Sequence, residues 1–151
     1  MADPTNLILM VIHIAVAAVT FAVTLTMGGA IRRAAGQSRD VKVAIAALAS
    51  RANMVAGIFG ALTFLSGFAL IFYRGGFKVI SPTIHVAVTL VLFMIVFGAL
   101  FMTPTAKKLT AAAESGDEAG WLAAKKRWAM GDGILQLLWL VTLVLMFIKR
   151  G

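Results

Sequence analysis

Two histidines stand in the 151-residue chain, His13 and His85, and each lies inside a long apolar run where an imidazole needs a partner. Neutral imidazole is a good iron ligand, and two imidazoles projecting inward from parallel helices can hold a flat haem macrocycle between them. His13 falls about six residues into the first run, near ~9 Å depth, and His85 about two residues into the third, near ~3 Å. Both enter from the same side, so a small shift in either boundary brings the rings level. Thr20 and Thr24 follow His13 at offsets of seven and eleven, and Thr89 follows His85 at four, giving hydroxyls that can orient rings or propionates. The same spacing admits a plainer reading, in which each histidine hydrogen-bonds a neighbouring backbone or hydroxyl group near the interface and binds nothing.

A second constellation lies at the other end of the runs. Arg51 and Asn53 enter the second run, while Asp132 and Gln136 open the apolar part of the fourth. Antiparallel neighbours would bring Arg51 or Arg127 to Asp132, either as a structural salt bridge that locks helix register or as an entry site for a proton or anion. Other chemistry lacks residues. Cysteine is absent, which removes disulfides, thiolate metal sites and iron–sulfur clusters. No GxSxG, HExxH, Walker or dinucleotide fingerprint occurs, so the chain reads as a non-enzyme, or as an oxidoreductase if it is an enzyme at all.

The elements that must position these groups are four apolar runs, at about residues 7–29, 54–73, 83–103 and 128–148. About 20 residues at 1.5 Å rise cross the ~30 Å hydrocarbon layer of a bilayer. With 61% hydrophobic residues and a mean hydropathy of +0.96, a soluble bundle is excluded. The expected fold is all-α: an integral membrane four-helix up-down bundle, forming a single transmembrane domain over residues 1–151. The first six residues carry no Lys or Arg, so the first run lacks the basic flank of a secretory signal and is expected to remain as a helix.

The net charge of +8 is explained by topology. Residues 30–52 hold Arg32, Arg33, Arg39, Lys42 and Arg51, and residues 104–129 hold Lys107, Lys108, Lys125, Lys126 and Arg127. The remaining four are Arg74, Lys78, Lys149 and Arg150. Ten basic residues against four place the first and third loops in the cytoplasm and both termini outside, and leave no case for nucleic acid as a partner. The cytoplasmic segments are themselves helical in pattern: Val41, Ile45 and Leu48 recur at helical spacing behind Ser38, and Asp117 and Glu118 mark a new helix start. Trp121, Leu122 and Trp128 are expected at the membrane surface, and Pro104 is expected to close the third helix. Gly57, Gly60 and Gly67, with Gly28, Gly29 and Gly98, read as close helix packing.

Several short stretches resemble a known pattern: Ile12-His13-Ile14, Gly28-Gly29, Leu65-Ser66-Gly67-Phe68, Thr103-Pro104-Thr105-Ala106 and the ending Leu145-Met146-Phe147-Ile148. Over essentially its whole length the chain resembles a family of uncharacterised bacterial four-helix membrane proteins, similar in turn to the copper-resistance D type membrane domain and to the membrane protoporphyrinogen IX oxidases. That resemblance implies a multi-pass protein of the bacterial inner membrane with periplasmic termini and, through the oxidase relatives, haem b on His13. The oxidase pattern has a lysine early in helix three and Asn-Glu-x-Pro at the start of helix four. Here those positions read Thr83-Ile84-His85-Val86-Ala87 and Gly131-Asp132-Gly133-Ile134, which puts porphyrinogen oxidation in doubt.

The leading expectation is a b-type haem protein for electron transfer or haem handling, with His13 and His85 as axial ligands. A cofactor-free accessory subunit of a larger membrane complex, or a homo-oligomer, is the alternative, with Gly-rich helix faces as contact surfaces. A small transporter using Asp132 and Arg51 is a third. Replacing His13 or His85 by alanine is expected to abolish or change the reduced-minus-oxidised absorption bands of the detergent-purified protein, and an unaltered spectrum would remove the ligand assignment.

Overall fold

Each apolar run becomes one helix, because lipid offers the backbone no hydrogen-bond partner and a helix satisfies its own amides. In the computed structural model, which describes residues 3–148, these are α1 (Pro4–Arg33), α2 (Arg39–Tyr73), α3 (Pro82–Ser115) and α4 (Glu118–Phe147). All four are long and apolar enough to cross a membrane. α1 starts at Asp3, whose carboxylate accepts from the Thr5 amide at 3.0 Å, and α4 starts at Asp117, which accepts from the Gly120 amide at 2.9 Å. Gly116, with φ +74°, ends α3 in the left-handed conformation that glycine adopts without strain.

Pro104 does not close the third helix. A proline lacks an amide hydrogen, and its ring crowds the carbonyl four residues back, so a regular α-helix would break here. Instead α3 widens to a π-helical segment at Gly98–Met102 and continues to Ser115. The Thr103 hydroxyl donates to the Gly98 carbonyl at 3.2 Å, and the Thr105 hydroxyl to the Phe101 carbonyl at 2.7 Å. Hydroxyl donors and π adjustments of this kind let helices in lipid carry a proline.

The helices close a ring in which α1 touches α2 and α4, and α3 touches the same two. Among the described residues, no Cα of α1 comes within 8 Å of α3, and none of α2 within 8 Å of α4. Ties at the ends fix the register. The Tyr73 hydroxyl donates to Asp3, holding that carboxyl below the usual carboxylate range, and Arg74 donates to Asn6 at 2.9 Å. At the opposite end of α2, Lys42 pairs with Glu118, and Arg39 donates to the Glu114 carbonyl.

The core sits at the basic end of the bundle. Ile31, Ala46, Ala49, Leu109, Ala113 and Trp121 are all buried there, where α2, α3 and α4 extend past the apolar runs. Small alanines let these extensions approach, so they form a packed collar rather than loose solvated helices. Trp121 and Trp128 are 1% and 3% exposed. They pack inside the collar, while Leu122 faces outward. Toward the other end, Leu7, Ile8, Val11, Ile12 and Ile14 of α1 are exposed around the helix, a surface fit for lipid and costly in water.

α4 passes very close to the π segment. A β-carbon on Gly131 would run into the Met102 sulfur and stand 2.8 Å from the Phe101 ring, whereas one on Gly133 would meet nothing within 4 Å. Gly131→Leu is expected to lower stability in detergent by ~1–3 kcal/mol or more through overpacking. Gly133→Ala is expected to leave stability unchanged or raise it by about 0.5–1 kcal/mol. Thermal unfolding of both variants, followed by circular dichroism, checks the pair.

Candidate functional site: a cavity beside the π segment

Where α3 widens, it no longer fills the space in front of it. A cavity of about 370 Å³ lies there, lined by all four helices. Its floor comes from α1 and α4: Thr20, Trp128, Asp132, Leu135 and Trp139 are buried. Its mouth comes from α2 and α3, where the lining residues Ser50, Met54, Gly57, Ala99 and Lys107 are exposed. The volume is in the lower part of the range for small-molecule sites.

The polar groups in it are few and specifically held. Asn53 of α2 donates to the Thr103 hydroxyl at 3.0 Å, which continues to the Gly98 carbonyl. This chain ties α2 to the π segment and leaves the Asn53 carbonyl oxygen toward other partners. Asp132 is 6% exposed. One carboxylate oxygen accepts from Gln136 at 2.9 Å, one helical turn further along α4. The same oxygen rests on α1 at Gly28, where a β-carbon would collide with it. Apolar walls are supplied by Met27, Met54, Met94 and Met102 and by the indoles of Trp128 and Trp139. The Trp128 indole nitrogen is buried without a hydrogen-bond partner.

The structure does not bring Arg51 and Asp132 together. Arg51 is exposed, and among the described residues Lys42–Glu118 is the ion pair that forms. α2 and α4 stand diagonally across the ring, with no Cα pair within 8 Å among the described residues, and Arg51 makes no ion pair with Asp132. Arg32 acts on Asp132 electrostatically without an ion-pair contact, and both Arg32 and Arg127 make hydrogen bonds elsewhere. Arg32 donates to the Gly28 carbonyl at 3.3 Å, and Arg127 donates to the Thr105 hydroxyl at 3.2 Å while lying 4.5 Å from the Phe101 ring centre.

His13 and His85 each engage other groups. His13 turns toward α2, with Nδ1 2.9 Å from the Ser66 hydroxyl, and its Cε1 would stand 3.2 Å from a β-carbon on Gly67. Ser66 in turn donates to the Thr63 carbonyl at 3.1 Å. His85 is exposed at the start of α3, with Nδ1 3.1 Å from the Ser81 carbonyl and its ring 5.7 Å from that of Phe77. Neither histidine lines the cavity. The threonines expected to orient a haem bond their own helices instead: Thr20 to the Val16 carbonyl, Thr24 to that of Phe21 and Thr89 to that of His85. Each histidine thus has a hydrogen-bond partner of its own, Ser66 for His13 and the Ser81 carbonyl for His85. Among the described residues, no three His, Asp or Glu side chains converge as metal ligands.

The glycines divide by role. Gly28 and Gly67 receive Asp132 and His13, but Gly57 and Gly98 meet no atom within 4 Å and border the cavity instead of a helix. Trp139 and the four methionines gave no polar signal in the sequence. Their convergence depends on helix rotation, which a run apolar on every face leaves unmarked.

Comparison with family models, with curated proteins and with solved structures finds no match to this chain. Its site therefore has to be interpreted from its own geometry.

Gly28→Val is expected to push on the Asp132 carboxylate and cost ~1–3 kcal/mol in thermal unfolding. The cost should shrink when Asp132→Ala is combined with it, since the clash then has no second partner. Additive losses would show that the two groups do not touch.

Proposed function

We propose that this chain is a multi-pass protein of the bacterial inner membrane, an up-down bundle with periplasmic termini, that takes a small lipid-soluble molecule from the bilayer into the cavity beside Asp132. The observation that carries this reading is the asymmetry of the cavity. The mouth is formed by exposed residues on the seam of α2 and α3, Gly57 and Ala99 within the apolar runs and Ser50 and Lys107 at their basic end, and the buried floor holds polar and aromatic groups. A molecule with an apolar body and one polar group would enter sideways, set its body against methionine and tryptophan, and present the polar group to Asp132 or Asn53. The flexible thioethers suit a ligand whose shape varies. Ten basic residues flanking one end of the bundle support the orientation with that end in the cytoplasm.

Haem-linked electron transfer, the leading expectation from residue types and resemblance, gains no support from the placement of His13 and His85. Its decisive test is the absorption spectrum, in which the cavity reading expects no haem bands from protein expressed with ample haem. The accessory-subunit reading draws on the exposed apolar surface of α1, which lipid covers equally well.

The chain's lack of cysteine makes single-cysteine labelling clean. A thiol reacts with a maleimide as the thiolate, which requires local water. Ala99→Cys, at the mouth, is expected to react with N-ethylmaleimide in membranes, whereas Leu92→Cys, exposed on the lipid side of α3 away from the cavity, is expected to stay unlabelled. Adding Gly60→Phe, which grows from the cavity wall toward Ile95, should slow labelling of Ala99→Cys. Equal labelling at positions 92 and 99, untouched by Gly60→Phe, would remove the cavity reading.

A further inference from the structure

Resting on that reading, we propose that the cavity selects a lipophilic monovalent cation, one whose positive charge is carried on an apolar or aromatic frame. Asp132 is the sole acid among the lining residues. It is 94% removed from solvent contact, it receives one side-chain hydrogen bond, from Gln136, and among the described residues it has no ion-pair partner within 4 Å. A carboxylate in that position is under-compensated, and a buried charge in low dielectric draws an opposite charge strongly. The basic groups on the surrounding helices stop short of pairing with it: Arg32 acts on the carboxylate from a distance, without an ion-pair contact, and the others have another engagement or lie toward water. Arg32 on α1 holds the Gly28 carbonyl, Arg127 on α4 holds Thr105 and Phe101, and Lys107 on α3 is exposed at the mouth, where its long stem lets the ammonium reach water.

The walls carry the argument a step further. A compact hydrated cation would be badly solvated by four methionines and two indoles, whereas a delocalised cation on an apolar frame is compatible with polarisable thioethers and aromatic rings. The lateral mouth suits the same class, because such ions concentrate at the membrane surface and enter from it. An anionic amphiphile would place its charge against Asp132, at a steep cost. A neutral molecule could give the carboxylate a hydrogen bond but no opposite charge.

The test uses two ions of nearly the same shape and opposite charge, tetraphenylphosphonium and tetraphenylborate, titrated calorimetrically into the full chain in a neutral detergent against matched empty micelles. Tetraphenylphosphonium is expected to bind at one per chain, about tenfold or more tighter than tetraphenylborate, and Asp132→Asn should reduce its affinity by a similar factor. Should Asp132→Asn not fold, the two ions on the unaltered chain still decide the matter. Equal binding of both ions, or tighter binding of the borate, overturns the cation assignment while leaving a lipid-accessible cavity in place. Binding of neither ion overturns the cation assignment too, and the Ala99→Cys labelling then tells separately whether the cavity reading falls with it.

Discussion

A bilayer core offers no hydrogen bond to a peptide group, and every notable feature of this chain is a response to that constraint. It forces each apolar run into a helix, and it also governs how a helix may be interrupted. Pro104 removes one amide donor near the level where α3 leaves the apolar layer. In water the freed carbonyl could turn to solvent and the helix could end. Here the backbone shifts to a π turn over Gly98–Met102, and the hydroxyls of Thr103 and Thr105 add donors to the flanking Gly98 and Phe101 carbonyls.

That local repair has consequences across the bundle. The widened turn pushes Phe101 and Met102 toward α4, where the absence of a side chain at Gly131 receives them. It also presents Thr103 to Asn53, so that α2 is tied to the irregular segment rather than packed flat along it. With α2 held at this point and Gly57 and Gly98 giving no side chain to the gap, a space remains between the four helices. The cavity is thus a product of one proline, its compensating hydroxyls and three glycines. π segments inside α-helices are often found at functional sites, and the geometry here shows a physical route from one to the other.

Stability and site are arranged at different depths. The tightest packing lies in the collar, where alanines and Trp121 interlock and Lys42 lies with its ammonium 6.0 Å from the Trp121 ring centre while pairing with Glu118. Helices clamped at one end can tolerate a void nearer the middle. They can also leave the far end of α1 with little protein contact, since lipid solvates those side chains as well as protein would.

The sequence by itself determined the solvent, the number of spans and the helical extensions, because these depend on composition and on period, which are local. Apolar length marks a span, and the pattern around Val41, Ile45 and Leu48 marks a helix whatever it packs against. It also marked Asp132, His13 and His85 as unusual, since any ionisable group in lipid is. What it could not decide was which of these meet. Helices apolar on nearly every face carry no sign of their rotation, so the ring order that sets α1 diagonal to α3, and α2 diagonal to α4, was settled only by tertiary packing. That order turned His13 to Ser66, left His85 on Phe77, and gave Asp132 to Gly28 rather than to Arg51. The proline was visible from the start, but whether it ended a helix or bent one depended on Thr103, Asn53 and Gly131 arriving from three different helices, and proximity in space is a property that no local pattern records.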